Sequence, residues 1–198
     1  CILGYLFLTP GDKIISPDLF WGNYKLIFQN TYGAKIDTFE TFKENKFNLE
    51  GLKEKLNAKD SNKKIVLLNF PNNPTGYTPT DGEVKQIVEI IKESAENGNN
   101  ILVMIDDAYF GLVYKEGIYK ESIFSKLANL HKNVLAVKID GATKEDYVWG
   151  LRVGFITYAT KDGAKEFYEA LEAKTAGAVR GTISNASHLS QSLMLKTY

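Results

Sequence analysis

Short apolar runs rich in β-branched residues recur along this 198-residue chain, at 13–16, 34–39, 65–70, 101–105, 134–139 and 153–158. Runs of this length, bounded by Gly, Pro, Asn and Asp, predict β-strands. Most of the intervening stretches carry apolar residues at helical spacing. Residues 49–56 do so, and residues 80–94 open with Thr80 and Glu83, the spacing of a capping box, before placing Val84, Ile87, Val88 and Ile91 on one face. Residues 162–176 predict a further amphipathic helix with Phe167, Ala170 and Leu171 turned inward. Strand–helix alternation predicts an α/β fold, a three-layer α/β/α arrangement around a mostly parallel sheet. The last run follows Lys144 too closely for a helical crossover of about a dozen residues, so its strand is expected to run antiparallel to its neighbours.

The polar stretches at 57–64 and 96–100 predict connections within one domain, not linkers between two. The opening residues read as the tail of a helix closing at Pro10-Gly11, and the last residues stop inside helix-like sequence. Both ends therefore read as cut, and the chain is expected to be a single-domain piece, 1–198, of a larger protein.

Composition narrows the classes of function. At 44% hydrophobic the chain can bury a sizeable core. Its formal net charge is zero, which gives no long-range attraction to nucleic acid or to an anionic membrane. No apolar run reaches the length of a membrane span, and no basic start precedes an apolar signal core. The single cysteine, Cys1, excludes an internal disulfide framework and fits a reducing cytoplasm. His131 and His188 lie too far apart for a zinc or haem pattern.

Candidate chemistry sits where three of the apolar runs end. The first run leads into Asn-Phe-Pro-Asn-Asn-Pro-Thr-Gly (69–76), the second into Asp106-Asp107-Ala108-Tyr109, and the third into a loop carrying Lys144. In open α/β sheets ligands bind beyond the carboxyl ends of the strands, so an amide (Asn73), an acid (Asp106), a phenol (Tyr109) and an amine (Lys144) are expected at one rim. Each also has a plain reading. Asn-Pro-Thr-Gly alone is a turn, Asp106 could cap a helix, and a lysine flanked by Thr143 and Glu145 is normally solvated. Arg152, between Leu151 and Val153, calls for an anionic partner.

The order and spacing carry more than any one residue. Lys144, Gly150, Arg152, Gly154 and Phe155 form a K-x5-G-x-R-x-G-F pattern, with NPTG and D-x-A-Y upstream, and Trp21-Gly22-Asn23-Tyr24 upstream of both. This set resembles the class I/II aminotransferases, the fold type I pyridoxal-phosphate enzymes, and spans nearly the whole chain. The resemblance implies the large domain of such an enzyme, with an N-terminal arm and a small C-terminal domain outside it. It implies that Lys144 holds pyridoxal 5'-phosphate as a Schiff base and then moves the substrate proton, and that Asp106 pairs with the pyridine nitrogen. Asn73 and Tyr109 would bond the phenolic oxygen, Trp21 would stack on the ring, and Arg152 with Thr143 would hold the phosphate. Of the two adjacent acids the D-x-A-Y register selects Asp106, and on a strand Asp107 points to the other face.

The pattern departs from the family where Gly141-Ala142-Thr143 replaces Ser-x-Ser ahead of the lysine, and where Asp140 stands close to an expected phosphate. Arg180, in Arg-Gly-Thr-Ile-Ser-Asn, resembles the segment that reads a distal substrate carboxylate in the neighbouring subunit, which would imply an acidic amino acid. The implied reaction moves an amino group from an L-amino acid to a 2-oxo acid in amino-acid metabolism, in a cytoplasmic homodimer. The expected phosphate-binding turn and carboxylate arginine lie outside the sequence, so the chain by itself is expected to bind the cofactor weakly and not to turn over. The same residues also serve a C–S lyase or decarboxylase on this scaffold, or an aminotransferase-like sensor domain of a transcriptional regulator.

Overall fold

All six apolar runs become strands. The computed structural model describes residues 1–196. In chain order it comprises α1 (Ile2–Phe7), β1 (Lys13–Pro17), a π-helical turn (Lys25–Asn30), β2 (Lys35–Phe39), β3 (Phe42–Lys43), β4 (Lys46–Phe47) and α2 (Leu49–Asn57). It continues through β5 (Lys63–Asn69), α3 (Asp81–Glu96), β6 (Asn100–Asp106), α4 (Phe124–Leu127), β7 (Val134–Gly141), α5 (Ala142–Glu145) and a 3-10 turn (Trp149–Leu151). β8 (Gly154–Ala159), α6 (Lys165–Thr182) and α7 (His188–Leu195) complete the described chain.

One sheet takes six of these strands, in the order β2-β1-β5-β6-β7-β8. Every pair is parallel except β7 with β8, which is antiparallel as the short connection requires. Both faces are covered. On one, Leu52 and Leu56 of α2, Val84, Ile87 and Ile91 of α3, and Leu127 of α4 pack on Val66, Leu68, Val103, Ile105 and Ala136. On the other, Leu3 and Leu8 join Tyr24 and Phe28 against Ile14, Ile65, Leu67, Met104 and Val137. α6 lies against α1 on this second face, where Thr175 meets the Tyr158 hydroxyl at 2.7 Å. The result is the three-layer α/β/α fold that the pattern predicts. β5, β6 and β7 alternate their side chains between two apolar layers, which explains why they read as continuous apolar runs.

α3 begins where its sequence says it should. The Thr80 Oγ1 accepts the Glu83 N–H at 3.3 Å, and a Glu83 carboxylate oxygen accepts the Thr80 N–H at 2.8 Å. The helix predicted over 162–176 differs from expectation. α6 runs to Thr182, past the predicted end, and its inward positions are Leu171 and Ala178, with Thr175 between. Phe167 is 41% exposed and Ala170 is also exposed. The i, i+4, i+7 set of residues 171, 175 and 178 lines the contact, and this turns Phe167 to the edge, where it packs on Tyr168. The small β3–β4 hairpin and the one-turn helices α4 and α5 are too short to leave a periodic signal.

Gly154 shows why one residue of the K-x5-G-x-R-x-G-F pattern is a glycine. It pairs with Gly141 across β7 and β8, and a Cβ there would lie 2.6 Å from the carbonyl oxygen of Asp140. Among the described residues no helix is long and apolar enough to cross a membrane.

Packing and capping make a stability prediction. Ile87→Ala, at a fully buried position, should destabilise the fold by about 2–5 kcal/mol, and Thr80→Ala, which breaks the capping box, by about 1 kcal/mol. Urea unfolding followed by circular dichroism measures both.

Candidate active site

Parallel register brings the predicted polar groups to one rim. Asn69, the last residue of β5, pairs with Asp106, the last of β6, and Asp106 pairs in turn with Ile139 near the end of β7. Beyond those ends stand the Asn-Pro-Thr-Gly turn, the Asp-Asp-Ala-Tyr turn and α5, which carries Lys144. Lys144 was expected in a loop. It lies in the one-turn helix Ala142–Glu145, with Thr143 directly before it in the same turn.

Hydrogen bonds connect these turns. The side-chain amide of Asn69 donates to the carbonyl of Asp106 at 2.8 Å, and its oxygen accepts the N–H of Asn73 at 2.8 Å. The Asn73 amide donates to the Tyr109 hydroxyl at 3.2 Å. The Lys144 ammonium lies 4.8 Å from the centre of the Tyr109 ring, a cation–π contact. Asn72 fastens the Asn-Pro-Thr-Gly turn from the other side. Its oxygen accepts the N–H and hydroxyl of Thr75, at 3.2 and 2.7 Å, and its amide donates to the carbonyl of Leu19 at 3.2 Å. Gly76 then closes the turn with φ of 71°, a left-handed conformation that favours glycine.

Asp106 faces the layer containing α1. One of its carboxylate oxygens accepts the Tyr24 hydroxyl at 2.5 Å, and the other accepts the backbone N–H of Ala108 at 3.1 Å. Tyr24 is 4% exposed. Burial pushes its phenol far above the usual tyrosine range, and the charge of Asp106 and their hydrogen bond push the same way. The phenol therefore stays protonated and donates to Asp106 at any working pH. Trp21 meets Tyr24 edge to face, ring centres 5.6 Å apart, and remains 38% exposed. Trp21, Tyr24, Asp106, Asn69, Asn73, Tyr109 and Lys144 thus form one continuous set of contacts.

Two of these residues, Tyr24 and Asn69, carry no assigned role in the sequence. Tyr24 lies three residues after Trp21, and one helical turn brings such positions to the same side. Asn69 ends an apolar strand whose neighbour ends in an acid. Both signals are present, but each needs the register of the sheet before it means anything.

Asp107 turns to the opposite face, as strand alternation requires, and is 3% exposed. Asp140 is paired there with Lys138 at 2.8 Å. Arg152 departs from its expected setting. β8 begins only at Gly154, so the apolar run around Arg152 is not yet sheet. The residue closes the 3-10 turn in a left-handed conformation, φ 52°, and is exposed, with Nη1 3.4 Å from the carbonyl of Trp149. Arg180 is exposed in the last turn of α6 and donates to the Ser184 hydroxyl at 2.6 Å. No cluster of three or more potential metal ligands occurs among the described residues.

The donor set fits a pyridinium cofactor. A carboxylate held by a buried phenol suits a protonated ring nitrogen, an adjacent amide and phenol suit a ring oxygen, and a primary amine stands beside them. The family model for aminotransferase class I and II matches residues 2–196. A probable N-acetyl-LL-diaminopimelate aminotransferase of Bacillus subtilis is 33% identical over 159 residues, 80% of this chain and 36% of that protein. An aspartate aminotransferase of Bacillus sp. (strain YM-2) is 29% identical over 153 residues, 76% of this chain and 36% of that protein. Among solved structures, an aminotransferase from Anaerococcus prevotii superposes with a TM-score of 0.89 at 30% identity, over 98% of this chain and 48% of that one. The chain therefore spans between about a third and a half of the length of the relatives it matches. With its motifs, register and contacts in place, the chain belongs to the class I and II aminotransferases, whose members depend on pyridoxal phosphate.

Proposed function

We propose that the protein transfers an amino group from an L-amino acid to a 2-oxo acid, using pyridoxal phosphate held at the rim of β5, β6 and β7. The observation that carries this reading is the set of contacts joining Tyr24 to Asp106, Asn73 to Tyr109 and Tyr109 to Lys144. Asp106 would take the ring nitrogen, Asn73 and Tyr109 the phenolic oxygen, Lys144 the aldehyde carbon and Trp21 the ring face. Arg152 and Thr143 would take the phosphate. When bound, the cofactor supplies an electron-accepting ring that makes the Cα–H bond of an attached amino acid acidic.

The chain's own residues then have distinct tasks. Tyr24 fixes the orientation of the Asp106 carboxylate by occupying one of its oxygens. Asn73 and Tyr109 hold each other where a ring oxygen can be met. The Lys144 amine would take the proton from the substrate Cα and deliver it to the carbon on the other side of the amino nitrogen, the one derived from the cofactor's aldehyde. An acidic substrate is supported by Arg180, an exposed guanidinium, and by the aspartate specificity named for one relative. A homodimer and a cytoplasmic setting belong to the same proposal, as does an additional small domain to complete the site.

Mixing the protein with pyridoxal phosphate, reducing with borohydride and mapping the adduct by mass spectrometry tests the assignment. The label should fall on Lys144 and vanish in Lys144→Ala; an equal yield in the variant removes Lys144 from its role. Tyr24→Phe, which leaves Asp106 without its buried donor, should weaken cofactor affinity by about 1.5–3 kcal/mol, roughly ten- to a hundredfold. Titration of cofactor absorbance reads this directly.

A further inference from the structure

The Asp106–Tyr109 turn carries charge on its reverse side that the proposed chemistry does not use. Asp106 faces Tyr24, whereas the side chain of Asp107 is buried on the opposite face, 2% exposed. Two residues of β7 that share that face, Lys138 and Asp140, complete a row. The Lys138 ammonium lies 2.8 Å from Asp140 Oδ1 and 3.7 Å from Asp107 Oδ2, and each of the two β7 side chains is 19% exposed. Lys138 also lies 4.8 Å from the centre of the Phe110 ring. The Asp107 Oδ2 atom has no hydrogen-bond partner.

Backbone bonds tie the same turn to β7. The Asp107 N–H donates to the carbonyl of Ile139 at 3.0 Å, and its carbonyl accepts the Phe110 N–H at 2.8 Å. One ammonium thus lies between two carboxylates, makes a hydrogen-bond-length contact with one, and only an ionic contact with the other. A buried carboxylate so placed is costly unless it contributes elsewhere.

We propose that Asp107, Lys138 and Asp140 form a charged brace beneath the site, in which Lys138 ties the Asp106–Tyr109 turn to β7 and so sets the place of Tyr109 beside Lys144. In this scheme Asp107 and Lys138 are positioning residues, which act through Tyr109 and touch no substrate. The inference rests on the reading of Tyr109 and Lys144 as cofactor contacts.

The groups around Asp107 make the brace adjustable. Burial pushes its carboxyl up to about 6, reinforced by the charges of Asp140 and Asp106 and opposed by the Ser122 hydroxyl and the Lys138 ammonium. Lys120 and Glu121 line a crevice with Asp107, and Glu145 of α5 shares a second one with Asp140 and Asp146. Ionised, Asp107 draws Lys138 towards the turn; protonated, it leaves Lys138 to Asp140. Because folding raises the pKa of Asp107, its protonation favours the folded state. That contribution is complete below the unfolded value of about 4 and is lost as pH rises through about 6.

Two measurements test the brace. Carboxyl carbon-13 NMR should place the Asp107 midpoint near 6 in the wild-type protein and move it up by about one unit in Lys138→Met. In protein loaded with pyridoxal phosphate, the pH midpoint of the visible band should move by roughly half a unit in Asp107→Asn. If Lys138→Met does not fold, Lys138→Arg keeps the charge and should leave the band close to wild type. A band that is normal in the wild type and unmoved in Asp107→Asn overturns the brace, as does an Asp107 midpoint that stays in place in Lys138→Met. A wild-type protein that forms no band at all defeats the cofactor reading instead, and the NMR midpoints distinguish that case.

Discussion

The register of three parallel strands governs everything that the site can do. Asn69, Asp106 and Ile139 stand side by side across β5, β6 and β7, so the chain emerges from the sheet three times at the same height. A slip of one residue in either pairing would exchange the two faces of a strand. Asp106 would then lose Tyr24 and point into the layer of α2 and α3. The two apolar layers prevent that slip. Ile65, Leu67 and Met104 are nearly inaccessible on one side, as are Val66, Leu68 and Val103 on the other, and none of them can be turned to water without a large cost in apolar burial. The core therefore acts at a distance on the chemistry, by holding the strand ends level.

Alternation along a strand also sorts the two neighbouring acids. Asp106 meets a phenol that burial keeps protonated, and so has a neutral donor beside it. Asp107 meets an ammonium that is shared with a second acid. Two residues of one type, adjacent in sequence, are thus given unlike surroundings by the geometry of the pleat. Asn69 adds a second economy, since one side chain bridges the end of β6 and the start of the Asn-Pro-Thr-Gly turn.

The sheet and its single antiparallel strand are legible in the sequence because β-branched runs and short connections are local signals. Lys144, Asn73, Asp106 and Tyr109 are legible as a set because each stands within a few residues of the end of such a run. What escapes is set by tertiary contact. The buried face of α6 depends on its approach to α1 and on the Tyr158–Thr175 hydrogen bond, which no period can report. Tyr24 acquires meaning only when Asp106, 82 positions later, turns out to face it. The surroundings of Arg152 depend on where β8 begins, and element boundaries are the part of a sequence pattern that is least well defined. The one-turn helix under Lys144 is shorter than a hydrophobic repeat and leaves no trace in it.

The antiparallel return of β8 has a mechanical consequence. Lys144 lies on a connection whose two ends are pinned together, Gly141 opposite Gly154, with the Ala142 N–H bonded to the carbonyl of Val153 at 3.2 Å. Its amine hangs from a closed loop, not from a free arm. Any excursion must come from side-chain torsions and from bending within that loop, so the lysine works on a short leash whose anchor is the edge of the sheet.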